Sequence, residues 1–275
     1  ERRARADVAA VGERYRPDDA RPALPPLEAR APLEVWLRHA MLTHPRVEAA
    51  YQAWLAEVER ITSARSRPDP RLTFELDIAS VVETLMPGLM LDLPRAGELA
   101  AMADVAAAEA EAGYARFVEA VLRTAYATKV AWFRLHFLGE TLRVQREALA
   151  LLADVEALAK SQVGAGRGTI QDILRAEIER EELATRIANL EDSRVVLVAE
   201  LRSALGHDPR DESVPLPEVF EPAPAPLALE EILAQASAHN PALAMLAADV
   251  RRGTALLDLA RARRGGAVAL GLEAD

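Results

Sequence analysis

Residues 163–174, with the sequence VGAGRGTIQDIL, decide the fold because they interrupt two long segments of helical periodicity. Glycines commonly end helices, and a threonine followed three residues later by an acidic residue is a variant capping box that starts one. We therefore predict that one helix ends near Val163, that residues 164–168 form a turn, and that a second helix starts at Thr169. The two helices are expected to fold back on each other at this turn.

Both flanking segments carry an apolar seam at alternating spacings of three and four residues, which is typical of coiled coils. Before the turn, the segment 95–163 lacks proline and would span roughly 100 Å at ~1.5 Å per helical residue. Its seam consists of Leu135, Leu138, Leu142, Leu149 and Leu152. After the turn, the helix is expected to reach about Leu205, with Gly206 as terminator. Its seam consists of Ile173, Ala176, Arg180, Leu183, Ile187, Leu190, Arg194, Leu197, Leu201 and Ala204, eight of which are apolar.

A short β-hairpin is predicted upstream, over about residues 71–93. Residues 71–78 alternate between apolar and polar side chains, the period of a strand with one apolar face. A second strand is predicted over residues 89–93, with Pro87 and Gly88 in the connection between the strands. The fold class is therefore mainly α, a long antiparallel coiled-coil hairpin with a short β-hairpin.

The chain also repeats itself, because residues 33–77 recur without a gap at residues 229–273, 196 positions later. Each copy has a short helix, a helix that starts at proline (Pro45 or Pro241), a basic stretch and an alternating strand. His44 and Asn240 stand in the N-cap positions before these prolines. Self-similarity of this kind indicates a duplicated architecture. The predicted parts are an extended Pro-rich arm (1–32), a first helical repeat (33–206), a Pro-rich linker (207–228) and the start of a second, incomplete repeat (229–275).

Composition narrows the function classes. The formal net charge of −10, without a stripe of basic residues, argues against nucleic-acid binding. There is no cysteine, and no nucleophile–base pair or cofactor loop emerges, so neither an enzyme nor a cofactor is predicted. No metal site is predicted either, because no histidine lies three or four residues from another, and only tertiary clustering would create one. The histidines are His39, His44, His136, His207 and His239.

The order of these elements resembles the TolC-like outer-membrane efflux channel family. The resemblance rests on residues 43–47 (THPRV) with their counterpart 239–243 (HNPAL), on the helix-to-strand passage 67–72 (RPDPRL), and on the turn 163–174. The Arg/Pro-rich arm and the helix that bears Trp54 are similar to members associated with metal resistance.

This resemblance implies a homotrimer in which the chain is the first half of a duplicated α-barrel and β-barrel architecture. The helices would form a periplasmic tunnel, and the strands would join one barrel in the outer membrane. The channel would passively export small molecules or metal ions together with a periplasmic adaptor protein and an inner-membrane pump. The implied adaptor contacts are Val163, Gly164, Gly166, Gly168, Thr169, Ile170 and Leu174.

Two other functions remain open at this point. A periplasmic adaptor also presents a helical hairpin with a contact tip, but it carries strand-rich flanks that this sequence lacks. A soluble coiled-coil scaffold without a membrane role would also account for the seams.

Overall fold

The computed structural model describes residues 1–15, 24–78, 82–220, 228–264 and 268–273. Within these residues the chain is mainly helical, with a small antiparallel sheet, which confirms the predicted fold class. The helices are α1 (Arg2–Tyr15), α2 (Leu33–Thr43), α3 (Pro45–Arg65), α4 (Glu98–Gly164), α5 (Ile170–Ala204), α6 (Leu229–His239) and α7 (Pro241–Ala262). The strands are β1 (Arg71–Ile78), β2 (Val82–Leu93) and β3 (Val268–Glu273).

The long hairpin of α4 and α5 has boundaries within three residues of the predicted ones, and every predicted seam residue except the exposed Arg194 is buried or half-buried. Burial of facing leucines and isoleucines holds the two helices together, as the spacing indicates. The buried cluster along the seam consists of Leu138, Leu142, Leu183 and Ile187. Half-buried side chains that pack against it include Leu149, Leu152, Leu190 and Leu197.

The described chain divides into two compact units, each made of segments that are distant in sequence. One unit comprises residues 23–47 and 121–225. Its main core surrounds the fully buried Trp36 and Trp132 and includes Leu201 and Leu205. The indole Nε1 of Trp36 donates a hydrogen bond to the Ala31 carbonyl at 3.1 Å, so this buried polar group is satisfied.

The other unit comprises residues 1–22, 48–120 and 226–275, and an aromatic cluster lies in its core. Tyr15 of α1 lies 5.0 Å from Tyr51 and 6.0 Å from Phe117 between ring centroids, and Trp54 lies 5.7 Å from Phe117. Such aromatic contacts add to the stabilisation from burial. They attach α1 to α3 and to the first part of α4.

The prediction of an extended arm over residues 1–32 is wrong for its first half, since residues 2–15 are helical. The first proline is Pro17, and the preceding residues are mostly helix formers. Tertiary contacts then stabilise α1, because Arg5 pairs with Glu59 at 3.2 Å and Tyr15 is buried. Residues 24–32 form neither helix nor strand, as expected, and residues 16–23 lie outside the described part.

The sheet has the order β1–β2–β3, with both pairs antiparallel. The predicted second strand is too short, because β2 begins at Val82 and includes Pro87 and Gly88. Pairing with β1 extends the strand through the proline, which lies opposite Phe74 in the register. The pairing of β3 with β2 covers only residues 88–93. In the described pairing, Pro87 therefore has a partner strand on one of its two sides. Proline is tolerated at such a position.

The sequence repeat is visible in the element boundaries. Helices α6 and α7 begin 196 residues after α2 and α3, and β3 falls within the counterpart of β1. The predicted N-caps are confirmed, since His44 Nδ1 accepts from the Arg46 N–H at 3.1 Å and Asn240 Oδ1 accepts from the Ala242 N–H at 2.9 Å. The compact units cut across the repeats, and the division of the chain into sequential domains stays a prediction.

Candidate functional site: the hairpin tip

The hairpin tip, residues 163–174, begins where α4 ends in a Schellman motif. The Arg167 N–H donates to the Gln162 carbonyl at 2.8 Å, and the Gly166 N–H donates to the Val163 carbonyl at 3.0 Å. Gly166 has a φ of +71°, the left-handed conformation that this motif requires. Because side chains with a Cβ disfavour this conformation, Gly166 is needed for the turn itself.

Helix α5 then starts with the predicted capping box. The Thr169 hydroxyl accepts a hydrogen bond from the Asp172 N–H at 3.3 Å, and Asp172 Oδ2 accepts from the Thr169 N–H at 2.9 Å. The hydroxyl of Thr169 also donates to the same carboxylate oxygen at 2.7 Å. The hydroxyl and then the backbone N–H of Thr169 lower the pKa of Asp172, so the box stays intact at neutral pH.

The two outer glycines differ in their surroundings. A Cβ on Gly164 would meet nothing within 4 Å, whereas a Cβ on Gly168 would lie 3.2 Å from Val163 Cγ2 and 3.3 Å from the Val163 nitrogen. Gly168 therefore serves the close packing of the turn. Gly164 is bare backbone at the surface with no evident packing role.

Exposed apolar side chains continue from the tip along one face of α5. Ile170 is 69% exposed, Leu174 is 51% exposed and Ile178 is 58% exposed. Residues four apart lie on the same helix face, so the three form a stripe. Ile178 was missed by the sequence reasoning, although its spacing of four from Leu174 was a usable signal. Val163 is only half-buried.

A charged cluster joins α4 and α5 below the tip. Glu156 is buried, and its Oε2 lies 3.1 Å from Arg180 Nη1, across the seam. Lys160 bonds to Glu156 on its own helix and lies 3.1 Å from Glu177 on α5. The hydrogen bond from Lys160 is the main cause that lowers the pKa of Glu156, and Arg180 adds to it against the effect of burial. The cluster fixes the two helices in register just before the turn.

The tip combines an exposed apolar stripe, bare backbone and a capped turn. Among the residues with described positions, no group of three or more His, Asp or Glu side chains is arranged to hold a metal ion. Of the helices in the described segments, none has the length and apolar character to cross a bilayer.

Comparison with solved structures identifies the fold. The outer membrane protein VceC from Vibrio cholerae matches with a TM-score of 0.64 at 14% identity, over 88% of this chain and 67% of VceC. The outer-membrane channel OprN matches with 0.68 at 16% identity, over 87% and 57%. The Campylobacter jejuni outer membrane channel CmeC matches with 0.62 at 12% identity, over 88% and 61%.

These matches show that the chain has the TolC-like outer-membrane channel fold, which confirms the resemblance predicted from the sequence. The chain spans between 57% and 67% of the length of these three channels. No protein-family model and no curated protein matches the sequence. The identities are too low to transfer a function, so the likeness establishes the fold alone.

Proposed function

We propose that the chain is part of the outer-membrane channel component of a tripartite efflux system, a passive conduit that exports small molecules or metal ions. The hairpin tip would dock a periplasmic adaptor protein, which connects the channel to an inner-membrane pump. The helical part would lie in the periplasm and the strands in the outer membrane. The full-length protein would be a homotrimer.

The exposed apolar stripe at the hairpin tip carries this proposal. Burying the exposed part of one such side chain contributes roughly 1 kcal/mol, so Ile170, Leu174 and Ile178 of one chain would bind a partner weakly. The three copies of this tip in a trimer would act together and raise the apparent affinity by orders of magnitude. The stripe thus suits a partner that engages several tips at once.

The fold favours a channel over the two other functions considered. The solved structures that match over most of this chain are outer-membrane channels, and neither a periplasmic adaptor nor a soluble scaffold is among those described above. No observation on the tip favours catalysis. Association with metal resistance stays a prediction from the arm and the Trp54 helix.

The decisive experiment replaces Gly164 by tryptophan in the full-length parent and measures the resistance of cells that depend on the channel. Because a Cβ on Gly164 meets nothing within 4 Å, the large side chain adds bulk to the docking surface without disturbing the fold. We expect resistance to be lost with the amount of channel in the outer membrane unchanged.

Gly164→Ala is the matched control, since it changes the same backbone position without adding bulk. Cells that carry it should remain resistant. If Gly164→Trp cells stay as resistant as the control, the hairpin tip is not the docking site.

A further inference from the structure

Two histidines that are 168 positions apart in sequence are in contact through their side chains within one compact unit. His39 lies on α2, and His207 lies just after α5. Their Nε2 atoms are 2.9 Å apart, their ring planes differ by 14°, and their ring centroids are 5.2 Å apart. The centroid separation exceeds the nitrogen separation by about two ring radii. The rings therefore lie edge to edge, with one nitrogen aimed at the other, which is the geometry of an N–H···N hydrogen bond.

The outer nitrogens of both rings face groups that only accept hydrogen bonds. His39 Nδ1 lies 3.2 Å from the carbonyl oxygen of Pro25, in the segment that precedes α2. His207 Nδ1 lies 3.3 Å from Oδ2 of Asp211. A carbonyl and an ionised carboxylate have no proton to donate, so each Nδ1 must carry one.

The number of protons on the pair follows from these contacts. Each Nδ1 needs one proton, and the contact between the two Nε2 atoms needs one more. With two protons on the pair, one of the three contacts brings two acceptors together. With four protons, the central contact brings two donors and two positive charges together. Only three protons satisfy all three contacts.

We propose that His39, His207 and Asp211 form a proton-dependent latch that holds the segment around Pro25 against α2 only while the two rings share three protons. The latch joins three parts of the chain: the segment before α2, α2 itself and the turn after α5. It opens when the pair gains or loses a proton.

Of the two groups that face the outer nitrogens of the pair, the charged one, Asp211, lies beside His207. His39 is only 6% exposed, and burial is the main cause that lowers its pKa, against the hydrogen bond with the Pro25 carbonyl, which raises it. The group that faces His39 from the preceding segment is the neutral Pro25 carbonyl, and the group that faces His207 from the turn is the Asp211 carboxylate. The guanidinium of Arg202, near the end of α5, donates from Nη1 to the Pro209 carbonyl at 3.4 Å.

Linkage gives the pH dependence and its sign. The ordinary histidine pKa is about 6.5, so the opened pair carries two protons well above this pH and four well below it. The closed pair carries three. The closed form therefore loses stability as the pH rises above about 6.5, because it holds an extra proton, and also as the pH falls below it, because it lacks one. The opening equilibrium should change by up to tenfold per pH unit on either side.

The variant Asp211→Asn distinguishes a proton-dependent latch from ordinary packing of the same residues. Asp211 Oδ1 accepts from the N–H and the hydroxyl of Ser213 at 3.0 and 2.6 Å, and the amide oxygen of asparagine can keep both bonds. The amide NH₂ would then face His207 Nδ1 and donate to it. Two protons on the pair would satisfy every contact, and the third would no longer be needed.

The experiment measures amide hydrogen exchange over residues 24–44 and 205–214 of the full chain from pH 5 to 9, corrected for the intrinsic exchange rate. For the wild type we expect least opening near pH 6.5 and more opening on both sides. Asp211→Asn should abolish the increase on the alkaline side. The control Asp208→Asn removes a charge from the same turn, where Asp208 Oδ1 accepts from the Arg210 N–H, and should keep the wild-type profile.

An Asp211→Asn profile that matches the wild type would overturn the latch. Imidazole ¹⁵N NMR of the wild type gives an independent answer if the variant does not fold. Near pH 6.5, three of the four ring nitrogens of His39 and His207 should carry protons, and a spectrum with two or four would contradict the proposal.

Discussion

Helices α4 and α5 end in the same way but in opposite surroundings. At both ends a glycine with positive φ occupies the Schellman position, Gly166 at +71° and Gly206 at +81°. The hydrogen bonds also correspond, because the His207 N–H donates to the Arg202 carbonyl at 3.0 Å, as Arg167 does to Gln162. A Cβ on Gly166 would meet nothing within 4 Å, whereas one on Gly206 would lie 2.7 Å from the Cα of His44.

The difference shows that one local device can serve two purposes. At Gly206 the turn allows the backbone to pass close to the junction of α2 and α3, and the preceding Leu205 is fully buried. At Gly166 the same turn leaves backbone and apolar side chains open to solvent. The first end belongs to the core of its unit, and the second lies at the surface.

The largest effect should come from truncating the leucines at the two ends. Leu205→Ala should lower the free energy of unfolding by about 2–5 kcal/mol, since it leaves a cavity in a fully packed site. Leu174→Ala, at the hairpin tip, should change it by less than about 0.5 kcal/mol. Urea denaturation of both variants measures the difference, and equal losses would contradict the contrast between the two ends.

The glycines themselves should differ by a smaller amount. Gly166→Ala should cost about 1–2 kcal/mol for the left-handed backbone alone. Gly206→Ala carries the same backbone cost and also forces alanine against the backbone of His44, for a total of about 2–4 kcal/mol. Parallel denaturation curves test this order. A greater loss of unfolding free energy for Gly166→Ala than for Gly206→Ala would contradict this order and would show that the turn at the tip is closely packed.

Loss of the capping box should weaken the start of α5 by about 1 kcal/mol. Thr169→Ala removes the hydroxyl that accepts from the Asp172 N–H. Hydrogen exchange of the first turn of α5 should become faster, while exchange around Gly206 stays unchanged. Acceleration at both ends would mean that the two helix ends are not independent.

The smallest effect on stability should come from the side chain of His44, whose backbone lies close to Gly206. Burial, and then Arg46, lowers the pKa of His44, and its Nδ1 must be unprotonated to cap α3. This contribution to stability is therefore complete above the ordinary pKa of about 6.5 and is lost as the pH falls below it.

His44→Asn should make the capping of α3 independent of pH, as Asn240 does for α7. We expect the unfolding free energy to change by less than about 0.5 kcal/mol at pH 7 and to fall less than in the wild type between pH 7 and pH 5. Both proteins contain His39 and His207, so the acid sensitivity of that pair cancels in the comparison. An unchanged acid sensitivity would exclude a role for the His44 cap.

Much of the helical architecture could be predicted, but the errors have a common cause. The ends of α4 and α5 depend on glycine, threonine and aspartate within a few residues, so local spacing reveals them. Helix α1 was missed because its stability depends on contacts such as Tyr15 with Phe117, about a hundred positions away. The start of β2 was misplaced because pairing with β1 carries the strand through Pro87.

The hairpin tip shows the same limit. The sequence located its turn and its exposed Ile170 and Leu174, yet it could not distinguish the bare Gly164 from Gly168, which packs against Val163. Its role in docking stays a prediction.

The sequence by itself determined where α4 and α5 begin and end, which residues form most of their seam, and that the architecture is repeated. These properties follow from side chains within about one or two helical turns of each other. Only the tertiary structure decided which of two similar helix ends is buried, and that His39 meets His207. Such contacts depend on which distant surfaces pack together. The periodicity of apolar residues within one helix does not indicate which other segment packs against that helix.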